Sequence, residues 1–153
     1  MPNIDYDSGG IDMLDSIKEL WEQLNQHHRV LSPYFEHHYK NFTFEKRKKS
    51  LVEKAQHAEL RIDLASDKIS GKYVGYCIST MNNENTGEIE SIFINNEYRG
   101  QGIEDQLISR ALSWLGEKGA QKKTVSVSVG NEQVFAFYER YGFRPRMTML
   151  EQV

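Results

Sequence analysis

The stretch Ile92-Phe93-Ile94-Asn95-Asn96-Glu97-Tyr98-Arg99-Gly100-Gln101-Gly102-Ile103 decides how this chain is read. An apolar run ends a strand, a polar turn follows, and two glycines flank Gln101. An amphipathic run (Leu107, Ile108, Ala111, Leu112, Leu115) then begins at once. A strand that feeds a glycine loop and then a helix brings bare backbone close to a ligand. It also points the free N–H groups and positive dipole end of the helix at that ligand, an arrangement suited to an anion. No Gly-Lys-Ser/Thr follows, so this is not a nucleoside-triphosphate loop. The third glycine of a dinucleotide fingerprint is also missing.

Upstream of this stretch, Glu88 to Ile94 reads as a strand. It is preceded by a turn at Asn82-Asn83-Glu84-Asn85, a strand over Lys72 to Met81, a turn from Asp67 to Gly71, and an alternating strand over Leu60 to Leu64. The amino-terminal third is helical. Leu14, Ile17, Trp21 and Leu24 recur at steps of three and four, which predicts a helix over 11–27, and Pro33 interrupts the helical pattern after it. Thr43 is placed to cap a second helix running to about Gln56, with Phe44, Leu51, Val52 and Ala55 as apolar positions. Downstream, a helix over 102–118 is ended by Gly119. Val alternates with Ser or Thr over Thr124 to Val129 as in a strand, a short helix over 132–141 is ended by Gly142, and Arg146 to Leu150 is a candidate last strand. A helix crossing between the strands at 88–94 and 124–129 implies parallel pairing there. The fold class is therefore α/β (α+β), a sandwich on one mixed sheet.

These residues resemble the GNAT superfamily of N-acetyltransferases, whose signature Arg/Gln-x-x-Gly-x-Gly/Ala follows a strand and cradles the pyrophosphate of acetyl-CoA. Arg99-Gly100-Gln101-Gly102-Ile103 matches its first five positions. A second match lies at Val125 to Val129, Asn131, and Ala136-Phe137-Tyr138-Glu139-Arg140-Tyr141-Gly142-Phe143, which looks like the superfamily's strand–Asn–helix segment. The resemblance implies a single N-acetyltransferase-like domain over 1–153. It also implies a mixed, mostly antiparallel sheet of six to seven strands flanked by about four helices in three layers. The implied activity is transfer of an acetyl group from acetyl-CoA to a primary amine of a small molecule or peptide, by direct attack in a ternary complex. The alternative is a catalytically inactive acyl-CoA-binding, sensing or partner-binding domain.

The resemblance also assigns roles. The Ile92, Phe93 and Ile94 backbone would lie beside the pantetheine arm, with Ile92 and Ile94 pairing like an added strand and one N–H polarising the thioester carbonyl. Arg99, Gly100, Gln101, Gly102, Ile103 and Glu104 would form the phosphate end. Asn131 would bond the cofactor arm or cap a helix. Tyr138 would protonate the leaving thiolate, with Phe137 and Tyr141 as packing aromatics. Glu88 and Glu90, two apart on one strand face, are candidate bases. Glu104 stands where the superfamily has Gly or Ala. Either it is a first-turn carboxylate stabilising the helix dipole from the solvent side, or it occupies the place of the pyrophosphate and repels it.

The chain has 153 residues, 27% charged and 11% aromatic, enough to bury a core without staples. A formal net charge of −3 is not that of a nucleic-acid binder, although Lys46-Arg47-Lys48-Lys49 is a local basic run. That run could meet the CoA 3′-phosphate or an acidic partner, or be a solvated helix face. His27-His28 and His37-His38 are not at chelating spacing, so no metal is expected, and acceptor lining with Tyr34 and Phe35 suits them better. The single cysteine, Cys77, rules out an internal disulfide and suits a reducing compartment. Met1 to Asp7 has neither the basic nor the apolar region of a signal peptide, and no apolar run nears the ~20 residues that span a bilayer. A cytoplasmic protein is expected. A last strand at an open sheet edge would favour a homodimer.

Overall fold

The strands pair in chain order into one five-stranded sheet: β1 (Ile4–Gly9), β2 (Glu59–Asp67), β3 (Tyr73–Met81), β4 (Thr86–Ile94) and β5 (Lys122–Val125). This is a computed structural model, and it describes residues 3–153. The first three pairings are antiparallel, and β4 with β5 is parallel. The parallel pair requires a crossover, which α4 (Ile103–Glu117) provides.

The sheet separates two apolar layers. On one face, Cys77, Met81, Ile89 and Ile94 pack under Leu107, Ile108, Ala111 and Leu115 of α4 and under Tyr138 of α5 (Phe135–Glu139). On the other, Ile62, Leu64, Tyr76, Ile78 and Phe93 meet Leu14 and Ile17 of a 3₁₀ segment (Ile11–Ile17). The same layer holds Leu20 and Trp21 of α1 (Lys18–Leu31), and Phe44 and Leu51 of α3 (Phe44–Ala55). The alternation of β2 and β3 is thus a core on both faces. The six residues of α2 (Glu36–Asn41) bury none of their side chains.

Several expectations hold in detail. Thr43 Oγ1 accepts from Lys46 N at 3.3 Å and caps α3. Gly119, with φ of 84°, follows the C-terminus of α4. Others need correction. The sheet has five strands among the described residues, not six or seven. The Val/Ser alternation through Val129 continues, but the strand stops at Val125 because the chain leaves β4 there and loses its ladder. Arg146 to Leu150 has no strand partner, and Met147, Met149 and Leu150 are exposed. The helix expected over 11–27 begins as a 3₁₀ segment, whose three-residue repeat matches the Leu14–Ile17 step, and becomes α-helical only from Lys18 to Leu31. The first strand was not legible: acidic residues at Asp5 and Asp7 mask the half-buried Ile4 and Tyr6.

β4 carries the irregularity that matters. Ser79 faces Ile89 and Ile78 faces Ser91, so Glu90 is left without a partner across the ladder. This bulge reverses the alternation. Ile89 and Ile92 pack on the α4 side, while Glu90 and Ser91 both face the α1/α3 side, bonding Lys54 and Tyr76 respectively.

Candidate functional site

Beyond Ile89 and Val125, β4 and β5 part; residues 91–94 keep their ladder with β3 alone, and the carbonyl of the bulged Glu90 accepts from Arg47 Nη2 at 3.0 Å. A cleft of about 420 Å3 opens between them. One wall is β4 from Ile89 to Ile94. The opposite wall is the segment 125–128 with Asn131, Gln133, Val134, Phe137 and Tyr138. Arg99 and Glu104 stand at one end. Trp21, Asn25, His28, His38, Tyr39 and Phe42 from α1, α2 and the turn after α2 form the other.

At the glycine end, Gly102 adopts φ of 82°, a left-handed conformation that lets the loop turn directly into α4. No side chain caps this helix, and its first internal bond is Gln106 N to Gly102 O, so the N–H groups of the first turn are free. Gly100 and Gln101 are exposed beside it, whereas Ile103 turns its side chain into the core. The Arg99 guanidinium lies 5.5 Å from the centroid of the Phe93 ring, and its Nε donates to Ile94 O at 3.4 Å.

Glu104 faces the cleft. It is half-buried, and among the described residues no side chain or backbone donor bonds its carboxylate. Burial pushes its carboxyl above the ordinary range; the Arg99 charge opposes this and Asp105 adds to it. Its neighbour Asp105 turns away, accepting from Arg140 Nη2 at 2.8 Å and from the Tyr141 hydroxyl. The solvent-facing reading of the first-turn carboxylates therefore suits Asp105 and not Glu104.

Tyr138 is buried in the cleft wall, between Phe137 and Phe143. Its hydroxyl has no partner among the described residues, and burial, with smaller contributions from Cys77 and Glu104, raises its phenol well above the usual range. Asn131 heads a 3₁₀ turn without capping it. Its Oδ1 instead accepts from Gln133 Nε2 at 2.6 Å and lies 3.1 Å from His27 Nε2.

The two glutamates differ. Glu90 lines the cleft, but its carboxylate accepts from Arg47 Nη2 at 3.3 Å, from Thr80 Oγ1 at 2.6 Å and from Lys54 Nζ. Burial pushes this carboxyl up, yet Lys54, Thr80 and Arg47 together outweigh burial and hold it below the ordinary range. Glu88 is not part of the cleft wall and pairs with Lys54 at 3.0 Å. The basic run is dispersed by helical geometry. Arg47 reaches Glu90, Lys48 reaches Asp15 at 2.7 Å, and Lys46 reaches the Asn41 carbonyl at 2.9 Å.

Of the residues expected to line this end, His27, His28 and His38 do so, whereas His37, Tyr34 and Phe35 lie outside the cleft wall; Asn25 and Tyr39 were not foreseen. Asn25 Nδ2 donates to the carbonyls of Tyr39 (2.7 Å) and Phe42 (3.2 Å), which ties α2 to α1, and Tyr39 Oη donates to Ser128 Oγ at 2.8 Å. A polar residue on the buried stripe of an amphipathic helix was the available signal for Asn25. His28 is held beside Tyr39 with an unpartnered, buried Nδ1, and burial, with the charge of His27, lowers its pKa to about 4. No three His, Cys, Asp or Glu side chains come together among the described residues in a way that could hold a metal ion.

A profile of the Acetyltransferase (GNAT) family matches residues 17–143. The chain belongs to this family. Over 57 residues it is 42% identical to N-alpha-acetyltransferase 30 of Schizosaccharomyces pombe, covering 37% of this chain and 38% of the relative. Over 85 residues it is 31% identical to an uncharacterized N-acetyltransferase of Methanocaldococcus jannaschii, covering 52% and 38%. The matched stretch thus spans about two fifths of the length of these curated relatives. Among solved structures, the aminoglycoside N-acetyltransferase AAC(6′)-Iy, in complex with CoA, superposes with a TM-score of 0.69 at 16% identity, over 100% of this chain and 95% of that one. A ribosomal-protein-alanine N-acetyltransferase from Brucella melitensis gives 0.67 at 15%, over 99% of both. At such identities the superpositions speak to the fold, which is GNAT-like.

Proposed function

We propose that this GNAT-family protein transfers the acetyl group of acetyl-CoA to a primary amine, the α-amino group of a peptide or protein N-terminus, by direct attack in a ternary complex. The observation that carries the reading is the parting of β4 and β5. It leaves residues 91–94 without a ladder partner on the β5 side, where the Ile94 carbonyl alone is engaged, by Arg99, and it does so in line with the free first turn of α4. An extended amide-bearing arm with an anionic end suits both features. The names of the curated relatives support an α-amine acceptor.

In this reading the backbone N–H groups of Ile92 and Ile94 bind the acyl donor, and one of them polarises its carbonyl. Asn131, already fixed by Gln133 and His27, borders the arm. Gly100, Gln101 and Gly102 leave the phosphate end open. Tyr138 presents a phenol that remains protonated at neutral pH. It stabilises charge developing on sulfur chiefly as a hydrogen-bond donor, because its raised pKa makes complete proton transfer uphill. Glu90, neutralised by two cations, is a poor base and serves to hold α3 against the β4 bulge. Glu88 lies outside the cleft wall. The acceptor ammonium therefore loses its proton to solvent.

The acceptor end is aromatic and imidazole-rich rather than acidic, which favours an N-terminus carrying an apolar or aromatic side chain over a polycationic amine. No helix of the described chain is long and apolar enough to cross a membrane. We place the protein in a reducing, cytoplasmic setting, where its buried thiol Cys77, with burial first among the influences raising its pKa to about 12, stays inert. A second copy pairing on the exposed Met147–Leu150 strip would make a homodimer, and a monomer in sedimentation at high concentration would remove that part of the proposal.

The test is thiol release from acetyl-CoA across a panel of peptides differing in their first two residues, with a small-amine panel beside it. Turnover confined to peptide N-termini supports the proposal. Tight acetyl-CoA binding without turnover on any amine would favour an acyl-CoA-sensing domain; absence of acetyl-CoA binding would favour a partner-binding domain, the reading that an unpaired Glu104 in the cleft supports.

A further inference from the structure

Both first-turn acids of α4 precede a cleft that calls for an anion, yet they are treated oppositely. Asp105 is matched by Arg140 and Tyr141 outside the cleft. Glu104 points into it, half-buried and unbonded. The charged and titratable groups around it are Arg99 from the loop, Asp105 on its own helix and Tyr138 from α5. Arg99 does not pair with it: its guanidinium is engaged over the Phe93 ring and at the Ile94 carbonyl. Tyr138 is neutral, and Asp105 carries the same sign.

We propose that Glu104 is a proton-linked discriminator at the donor site: ionised, it weakens binding of acyl donors that carry a pyrophosphate, and neutralised, it lifts that penalty. The inference rests on the reading that the free first turn of α4 receives the donor's pyrophosphate. Two like charges brought together at an effective dielectric between those of water and a protein surface cost about ten- to hundredfold in affinity. Burial already disfavours the ionised carboxyl, so neutralisation begins above the ordinary carboxylate range as pH falls. A donor that lacks the pyrophosphate has nothing for Glu104 to repel. The chain therefore favours pyrophosphate-bearing donors more in a mildly acidic medium than in an alkaline one.

The experiment is calorimetric titration of the full chain, wild type and Glu104→Gln, with acetyl-3′-dephospho-CoA at about pH 8, about pH 7 and about pH 5.5. This ligand keeps the pyrophosphate but not the 3′-phosphate, whose second ionisation (pKa about 6) falls within that range. Acetyl-pantetheine, without either, is the control, and circular dichroism checks the fold. The expected result is binding about ten- to hundredfold tighter for Glu104→Gln at about pH 8, a gap that closes as pH falls, and no gap for acetyl-pantetheine. Should the variant not fold, tightening of wild-type binding to the dephospho ligand with falling pH, absent for acetyl-pantetheine, supports the inference, and its absence overturns it. Superimposable affinities of the two proteins at every pH would overturn the inference while leaving the acetyl-CoA reading intact. Failure of both proteins to bind either acetyl-CoA or the dephospho ligand at millimolar concentration would overturn both.

Discussion

His27 Nε2 lies 3.1 Å from Asn131 Oδ1 and ties α1 to the turn after β5 across 104 residues of sequence. An amide oxygen only accepts, so this geometry fixes the proton of a neutral His27 on Nε2. The Tyr39–Ser128 bond at 2.8 Å makes a second tie between the same two walls. Asn131→Leu leaves the His27 and Gln133 donors without their acceptor. We expect a stability loss of about 1 kcal/mol, and rises in both the acetyl-CoA KM, through the arm that Asn131 borders, and the acceptor KM, through the lost tie to α1. Urea unfolding and steady-state kinetics read the two effects separately. An unchanged acceptor KM would mean that the tie does not shape the acceptor end.

Gly130 makes the third contact between these walls. Its φ is 102°, and an added Cβ would lie 2.3 Å from the Leu31 carbonyl oxygen at the end of α1. The obstacle is backbone, which cannot swing aside as a side chain tip can. Gly130→Ala should therefore cost about 2–4 kcal/mol, combining left-handed strain with overpacking. For a chain of this size that is roughly a 4–16 °C fall in Tm. A Tm within a degree of wild type would show that α1 and the loop separate freely.

Glu90 sits at the β4 bulge with two cations and a hydroxyl on its carboxylate. Glu90→Leu leaves Lys54 with Glu88 alone and Arg47 with only the backbone carbonyl of residue 90. Because Lys54 is partly solvated, we expect a cost of about 2–3 kcal/mol, below that of a fully buried pair. The pH dependence has a definite sign. The folded-state pKa is depressed, so the stabilisation is present above the unfolded carboxyl value of about 4.3 and is lost as pH falls through the lower folded value. Chemical unfolding of wild type and variant should thus differ most near neutral pH and converge below about pH 4. A constant difference across that range would mean that packing, not charge, is what Glu90 supplies.

How much of the fold and site was legible in the sequence depends on where each signal resides. The strand–glycine loop–helix stretch is local, and Gly102 carries its own conformational evidence, so the helix start and the α4 crossover could be read directly. The segment 125–129 has local strand chemistry, but whether it pairs depends on β4 staying alongside, and the two part after Ile89. Glu88 and Glu90 share a face, as spacing implies, yet nothing in their spacing shows that Lys54 reaches both. The far wall of the cleft is built from α1 and α2, distant from the loop in sequence; the paired histidines pointed to it, but Asn25 does so only once its distant carbonyl partners are in place.

Tyr138 gives the sharpest separation between packing and chemistry. Its ring is buried between Phe137 and Phe143 in the cleft wall, and its hydroxyl has no partner among the described residues. Tyr138→Phe keeps the ring and removes only the hydroxyl. Stability should stay within about 0.5 kcal/mol of wild type, because no hydrogen bond is lost and burial of the ring is retained. If the phenol donates to sulfur in the transition state, kcat should fall about ten- to hundredfold while the acetyl-CoA KM changes less than about twofold. Burial raises the phenol above its ordinary range, so the wild-type rate should show no loss attributable to phenolate formation up to about pH 10. Stopped-flow measurement of thiol release isolates the chemical step. An unchanged rate in the Phe variant would leave Tyr138 as a packing residue and transfer the stabilisation of the leaving thiolate to solvent.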